Sequence, residues 1–205
     1  MPTEITDGVF DVTCVERDGR RLRAFLFDGD SPVLVDAGLA ETTDALLAGI
    51  EETGVVPERL ILTHADRDHV GGWDAIVEAY GVETYCPEGA DPVVEHPPDN
   101  TYGDGADLSP FLALHAPGHC AHQHVLIDEE RGLAVMADAA SGADQRGLPA
   151  GYFHLPPGMF SDDLNQAEES LERVAEYDFE IGLVFHGSSV LAGASEKLAA
   201  YVDLP

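Results

Sequence analysis

The sequence is almost without lysine. Of its 10 basic residues only Lys197 is a lysine, against 39 acidic residues, and the formal net charge is −29. A protein that binds nucleic acid needs a basic surface to replace the counterions of the phosphates, so we expect no nucleic-acid partner. The acidic residues are scattered along the chain rather than gathered in a tail. This distribution indicates adaptation to high salt, where screening removes the self-repulsion of such a surface.

Long apolar runs are also missing. No stretch approaches the roughly 18 to 20 continuous apolar residues that cross a bilayer, so no membrane partner is expected. The amino-terminal stretch MPTEITDGVFDV is acidic and has neither a basic start nor a long apolar segment, so it does not predict a signal peptide. We therefore expect a cytoplasmic protein that acts on a small molecule.

Cysteine is scarce, with three residues, Cys14, Cys86 and Cys120, and no closely spaced pair. This is not a disulfide framework, and each cysteine is expected to be a small buried hydrophobe. A length of 205 residues with 44% hydrophobic content predicts a single domain over residues 1–205 with one sizeable core. The oligomeric state stays open, with a homodimer among the alternatives.

Hydrophobic periodicity predicts a mixed α/β chain. The predicted strands are 9–15, 22–28, 60–62, 82–85, 111–115, 125–128, 133–137 and 181–185, and the predicted helices are 42–53, 72–80, 165–175 and 195–202. The letters RDGR at 17–20 predict a hairpin turn between the first two strands. Segments 87–110 and 141–163 are rich in Pro, Gly and Asp and predict loops. Strands and helices alternate similarly in both halves, which suggests two packed sheets with helices outside.

The stretch LILTHADRDHVGG at 60–72 puts four metal-ligand side chains into six residues directly after an apolar run. They are His64, Asp66, Asp68 and His69. Imidazole suits zinc, iron and nickel, whereas carboxylates suit harder ions such as manganese and iron. The turn is therefore a candidate metal site.

Four more polar residues stand where an apolar run ends. Asp36 follows VLV, His119 follows LALHAPG, Asp138 follows LAVMA and His186 follows IGLVF. Strand ends are where a rigid scaffold presents side chains to a shared site. We expect these residues and the 60–72 turn to converge on one edge of the fold.

Asp36, THADRDH, APGH, MAD and FHG together resemble, in order and spacing, the five motifs of the metallo-β-lactamase-fold superfamily. The resemblance covers residues 8 to 200 and implies that superfamily's fold, a four-layer αββα sandwich. It also implies a site with two divalent metal ions, zinc first, with iron or manganese as alternatives. The implied ligands are His64, position 66 and His119 for the first ion, Asp68, His69 and His186 for the second, and Asp138 as the bridge. Asp36 would orient the ligand loop.

Position 66 departs from the common motif His-x-His-x-Asp-His, because Asp66 stands where the second histidine would be. Aspartate is shorter and anionic, so the first site becomes harder. Asp66, Asp68 and Asp138 together bring three negative charges, which favours Fe³⁺ or Mn²⁺ more than an imidazole-rich site would. The alternative is that Asp66 does not reach the ion, and the first site is then weak or empty.

The resemblance implies a metal-dependent hydrolase in which a metal-bridging hydroxide attacks an ester, thioester or lactone. Asp68 would carry the proton to the leaving group as the catalytic residue. Two alternatives stay open. Asp66 is similar to the Glu of the His-x-Glu-x-Asp-His motif in flavodiiron proteins, which predicts a di-iron redox or oxygen-binding protein. The other is a metal-binding module without turnover.

Specificity is expected to lie in the two predicted loops. Segment 144–160, DQRGLPAGYFHLPPGMF, carries Tyr152, His154 and Phe160, which could close over the site and contact substrate. Arg146 is one of few cations and could bind a substrate carboxylate. The substrate itself is not encoded in any of these motifs.

Overall fold

A computed structural model describes residues 1–17 and 20–203, so part of the predicted turn at 17–20 lies outside the described residues. The chain divides into two compact units, Met1–Thr101 and Tyr102–Pro205. Each unit carries its own sheet and its own helices. The expectation of a single domain over 1–205 stays a prediction.

A seven-stranded sheet with the strands in chain order underlies the first unit. The strands are β1 (Thr3–Thr6), β2 (Val9–Arg17), β3 (Arg20–Phe27), β4 (Val33–Val35), β5 (Arg59–Ile61), β6 (Glu83–Pro87) and β7 (Asn100–Tyr102). Strands β1 to β4 pair antiparallel, whereas β4, β5 and β6 run parallel. The helices are α1 (Thr43–Thr53), the short α2 (Arg67–Val70) and α3 (Trp73–Tyr80).

The core of the first unit forms where α1 and α3 meet the sheet. Leu46 and Ile50 of α1 and Trp73 and Ile76 of α3 are fully buried among alternate residues of the strands. Burial of such side chains contributes about 1.5 to 3 kcal/mol each. Both helices end at a glycine in the left-handed conformation, Gly54 and Gly81. Gly has no Cβ and takes that conformation without steric cost.

Two of the three cysteines belong to this core, as expected, whereas Cys120 is only partly buried, contrary to the expectation. Cys14 and Cys86 are buried. Burial raises the pKa of the Cys14 thiol to about 12 and that of Cys86 to about 11. Both are therefore neutral thiols that pack as small hydrophobes.

A four-stranded sheet of order β13-β10-β9-β8 and a two-stranded ribbon β11-β12 form the second unit. The elements are β8 (Leu112–His115), β9 (His124–Asp128), β10 (Leu133–Ala137), β11 (Ser141–Gly142), β12 (Phe153–His154), α4 (Leu164–Val174), β13 (Ile181–Val184) and α5 (Ala194–Val202). Leu171 and Val174 of α4 and Leu198 of α5 are fully buried in the core on this sheet. The Asp163 carboxylate accepts hydrogen bonds from the backbone N–H groups of Asn165 and Gln166 and so caps the amino terminus of α4.

The predicted helices and the longer strands are confirmed within about two residues, and the misses are short. Strand β7 lies inside the predicted loop 87–110, and β11 and β12 lie inside the predicted loop 141–163. The predicted strands also omit β1 and β4. Each has two to four residues, too few for periodicity to show, and each forms because a partner strand supplies its hydrogen bonds. In the part of the chain that the structure describes, no helix has the length and apolar character to cross a membrane.

Candidate metal centre

Two parallel strands place the first group of predicted site residues. Strands β4 and β5 pair with Val35 opposite Ile61, so the residues that follow both strands emerge at the same edge. Asp36 directly follows β4, and Thr63 and His64 lie two and three residues beyond the end of β5. The carboxyl ends of parallel strands are where such sheets place their functional side chains.

Asp36 is the centre of a buried hydrogen-bond network. Its Oδ1 accepts from the Thr63 backbone N–H at 2.7 Å, and its Oδ2 accepts from the Thr63 hydroxyl at 2.7 Å. Nδ1 of His69 lies 2.7 Å from the same Oδ2. The hydrogen of the Thr63 hydroxyl points to Asp36, so His64 Nδ1, 3.1 Å from Thr63 Oγ1, is the donor of that bond. Both histidines thus carry hydrogen on Nδ1, and Nε2 is the nitrogen that would bind an ion.

The side chain of Asp36 is buried, and its backbone is in a strained conformation. Burial raises the pKa of its carboxyl group, and the contacts with His69 and Thr63 oppose that rise. Its φ is 60°, and Ala137, directly before Asp138, has a φ of 47°. Among the described residues these two are the only non-glycines with positive φ. Left-handed backbone outside glycine persists where the surroundings enforce it, and it clusters at functional sites.

The 60–72 turn is held against the segment after Asp36. The backbone N–H of Ala37 donates to the carbonyl of His69 at 2.6 Å, and that of Gly71 donates to Gly38 at 2.7 Å. A Cβ at Gly71 would collide with the backbone of Ala40, so glycine permits this close approach. The rings of His64 and His69 are consequently fixed, with centroids 4.0 Å apart.

Asp66 and Asp68 stand at the start of α2. Asp66 precedes the helix, its side chain is 46% exposed, and its Oδ2 lies 3.8 Å from Nε2 of His64. Asp68 is half-buried in the first turn, next to the buried His69. Asp66 therefore points to the same nitrogen that would bind an ion at His64.

In the second unit a parallel pair again brings predicted ligands together. Ala137, the last residue of β10, lies opposite Val184, the last residue of β13. Asp138 and His186 follow at the same end, and Nε2 of His186 lies 3.2 Å from Oδ2 of Asp138. Nε2 of His119 lies 3.7 Å from that same oxygen. One carboxylate oxygen therefore faces two imidazole nitrogens.

His119 is oriented by the segment before α4. Its Nδ1 lies 3.4 Å from Oγ of Ser161, and its carbonyl accepts from the backbone N–H of Asp162 at 3.0 Å. The Ser161 hydroxyl also lies 3.2 Å from the carbonyl of Pro157, to which it donates. Nδ1 of His119 is thereby the donor, and Nε2 faces Asp138.

The side chains in both units suit a divalent metal. In the first unit one ligand atom from each of Asp36, His64 and His69 lies within 4.8 Å of the others, and all three residues are buried. Both carboxylate oxygens of Asp36 accept hydrogen bonds from Thr63 or His69, which suits a residue that orients ligands. Imidazole with carboxylate is the donor chemistry of zinc, iron and manganese sites. The assignment of each residue to one of two ions stays a prediction.

The four predicted substrate contacts lie on two surfaces of the second unit. Arg146 and Phe160 are exposed, Phe160 to 64%. The ring of Tyr152 lies 5.3 Å from Nζ of Lys197. The ring of His154 lies 6.0 Å from that of Tyr201. Tyr152 and His154 therefore face the carboxyl-terminal helix, whereas Phe160 adjoins the segment that holds His119.

Two residues with a role in the geometry, Thr63 and Ser161, were not among the sequence predictions. Thr63 directly precedes His64, and a hydroxyl at that place was the only local signal. Ser161 lies 42 residues from His119, and no local pattern joins them.

The family follows from comparison with known proteins. The model of the metallo-beta-lactamase superfamily matches residues 23–186. The chain belongs to this superfamily. The resemblance of the five motifs is thereby confirmed, and so is the predicted α/β fold of the metallo-β-lactamase type.

Curated relatives are similar to this chain at moderate identity. A probable metallo-hydrolase, YflN of Bacillus subtilis (strain 168), is 25% identical over 197 residues, which cover 76% of this chain and 75% of that protein. The atrochrysone carboxyl ACP thioesterase of Passalora fulva is 26% identical over 175 residues. These cover 79% of this chain and 46% of the thioesterase, so the match spans less than half of that protein.

Solved structures share the fold. The metallo-beta-lactamase from Pontibacter korlensis aligns with a TM-score of 0.79 at 18% identity, covering all of this chain and 97% of its own. The crystal structure of TTHA1623 in a di-iron-bound form aligns with a TM-score of 0.71 at 25% identity, covering 93% and 96%. The first likeness shows the fold alone. The second concerns a protein that holds two irons.

Proposed function

We propose that this protein is a metal-dependent hydrolase that holds two divalent ions and cleaves an ester, a thioester or a lactone. The proposed ligands are His64, Asp66 and His119 for one ion, Asp68, His69 and His186 for the other, and Asp138 between them. Family membership supports the pattern. A relative named as a probable metallo-hydrolase supports the reaction class.

The observation that carries the proposal is the position of Asp138. Its Oδ2 lies 3.2 Å from Nε2 of His186 and 3.7 Å from Nε2 of His119. A carboxylate between two imidazoles, each with its metal-binding nitrogen turned inward, is the arrangement that a bridging ligand needs. The carboxylate is also buried, which strengthens its attraction for cations.

The ions, when bound, lower the pKa of water toward about 7 and polarise the substrate carbonyl. The protein residues do the rest. Asp138 would supply a buried carboxylate oxygen beside His119 and His186. Asp36 and Ser161 hold the imidazoles on the correct tautomer, so no reorganisation is needed during turnover. Asp68, half-buried beside His69, would accept the proton of the attacking water and deliver it to the leaving group.

An apolar acyl group is the substrate part that the surface near His119 favours. Met159 and Phe160 are exposed to 82% and 64%, and the adjoining Ser161 and Asp162 bond to His119. The thioesterase among the relatives is named for an acyl carrier substrate. Arg146, also exposed, is proposed to bind an acidic group of the substrate, whereas Tyr152 and His154 are weaker proposals because they face α5.

The identity of the ions separates this proposal from a second one, a di-iron redox or oxygen-binding protein. Two observations favour the second candidate. Asp66 adds a hard carboxylate beside His64, and one structural neighbour is in a di-iron-bound form. We propose zinc as the resident metal of the hydrolase, with manganese or iron as the alternatives.

The test is metal content and activity of the same preparation. Protein purified in molar salt without added metal would be analysed by mass spectrometry and then assayed on p-nitrophenyl esters, acyl thioesters and lactones. The hydrolase predicts two zinc or manganese ions and activity that Asp138→Ala abolishes, with Asp104→Ala as the control. Two irons with a visible absorption band and no hydrolysis of any of these substrates would transfer support to the redox protein. An unchanged activity in Asp138→Ala would refute the mechanism.

A further inference from the structure

His186 lies in a tight turn that follows strand β13 and folds back to pair with it. Gly182 of β13 and Val190 exchange backbone hydrogen bonds of 2.8 Å in both directions. The residues between them form a closed loop with His186 near its middle. The backbone N–H of Val184 donates to Oγ of Ser189 at 3.2 Å. The position of the His186 ring thus depends on the contacts that hold this loop in place.

The Asp144 carboxylate holds this loop through Ser188. Its Oδ1 accepts from the backbone N–H of Ser188 at 2.8 Å, and its Oδ2 accepts from the Ser188 hydroxyl at 2.7 Å. Beside it, the backbone N–H of Gly142 donates to the carbonyl of His186 at 2.8 Å. Three hydrogen bonds therefore join the segment 142–144 to the segment 186–188. Two of them use the Asp144 carboxylate, one on each of its oxygens.

Two glycines make this contact close. A Cβ at Gly142 would collide with the backbone N of Ser188. A Cβ at Gly187 would lie 2.7 Å from the carbonyl of Gly142 and 2.9 Å from Oδ1 of Asp144. Gly187 also has a φ of +79°, which favours glycine. Larger residues at either position would push the two segments apart.

We infer that Asp144 is a positioning residue for His186, and that it acts through the turn rather than by touching an ion or the substrate. The inference rests on the proposed function, in which His186 binds one of the two ions. Asp144 lies in a helical turn, Ala143–Arg146, that also carries the proposed substrate residue Arg146. The Asp144 carboxylate therefore connects the turn that carries Arg146 to the loop that carries the proposed ligand His186.

The role requires hydrogen-bond geometry and not negative charge, and asparagine separates the two. In Asp144→Asn, Oδ1 still accepts from the Ser188 backbone N–H, and Nδ2 donates to the Ser188 hydroxyl oxygen. In Asp144→Ala both bonds are lost. Residues that orient metal ligands typically contribute about 10- to 100-fold to metal affinity. We expect Asp144→Ala to weaken one of two Zn²⁺ sites by that factor and Asp144→Asn to remain close to wild type.

The measurement is Zn²⁺ competition against a chromophoric chelator in molar salt, with thermal unfolding of each metal-free variant. The matched control is Asp104→Ala. Asp104 accepts two hydrogen bonds from Arg173 and one from the His115 backbone N–H, so its loss removes a comparable set of contacts elsewhere in the second unit. Asp104→Ala should leave both Zn²⁺ affinities unchanged.

Each outcome decides the inference. Selective loss of one site in Asp144→Ala, rescued by Asn, supports it. Asn behaving as Ala would mean that charge matters and would overturn it, as would equal weakening in Asp104→Ala. Wild-type protein that binds two Zn²⁺ ions, with Asp144→Ala binding both equally well, would overturn this inference alone. Wild-type protein that binds no ion would overturn the proposed function, and this inference with it.

Discussion

Oδ2 of Asp36 lies 2.7 Å from Nδ1 of His69 and also accepts the hydroxyl hydrogen of Thr63, whose oxygen lies 3.1 Å from Nδ1 of His64. One buried carboxylate therefore governs two histidines, one directly and one through a threonine. The chain separates Asp36 from His69 by 33 residues. The parallel pairing of β4 and β5 closes that distance.

Removal of the Asp36 carboxylate should impair both histidines, whereas removal of the Thr63 hydroxyl should impair His64 alone. Asp36→Ala is expected to weaken metal binding at both sites by about 10- to 100-fold each. Thr63→Val keeps the shape of the side chain and is expected to weaken one site only. Chelator competition measures both affinities. Equal effects of the two variants on both sites would contradict the view that Asp36 acts on His69 directly and on His64 through Thr63.

Substitution of Asp66 tests whether it is a ligand. Its Oδ2 lies 3.8 Å from Nε2 of His64. Asp66→Ala should reduce the metal content from two ions to one, and Asp66→His should keep two because imidazole also binds zinc. Mass spectrometry of both variants and wild type gives the count. If wild type holds one ion and Asp66→His restores the second, Asp66 does not coordinate.

His124 should make the protein less stable in mild acid. Burial lowers the pKa of His124 from 6.5 to about 4. His122, His115 and Asp104 also act on this ring, which donates through Nδ1 to the carbonyl of His122 at 3.0 Å. Between pH 6.5 and 4, His124 is protonated in the unfolded chain but stays neutral in the folded protein, so the free energy of unfolding falls as the pH falls. The loss from pH 7 to pH 5 is about 2 kcal/mol for this group.

Denaturant unfolding in molar salt at both pH values would measure this loss. His124→Asn keeps an N–H donor at the position of Nδ1 and removes the titration, so its stability should fall by about 2 kcal/mol less than that of wild type over the same interval. An identical fall in both proteins would show that other groups cause the acid sensitivity.

Salt should stabilise this protein strongly. The net charge of −29 repels itself, and the screening length shrinks from about 10 Å at 0.1 M salt to about 3 Å at 1 M. We expect the melting temperature to rise steeply with KCl below 1 M and to level off above it. Sucrose at equal osmolality is the control, because it does not screen charge. A melting temperature independent of KCl would refute the proposed adaptation to high salt.

The sequence by itself determined the predicted ligand set and most regular elements. His64, Asp66, Asp68 and His69 stand in one short turn, and their order and spacing with the later motifs identify the superfamily. The helices α1, α3, α4 and α5 carry an apolar stripe at helical period, which is a local property. Burial of Cys14 and Cys86 also follows from composition and strand alternation.

Only the tertiary structure shows which side chains contact the predicted ligands and the segments that carry them. Ser161 meets His119 across 42 residues, and Asp144 meets Ser188 across 44. The strands β7, β11 and β12 likewise exist because distant segments pair with them. Local propensity and periodicity describe neighbours along the chain, whereas these contacts form only when the sheets bring remote segments together. A hydroxyl or carboxylate in a loop has the same local pattern whether it orients a metal ligand or faces water.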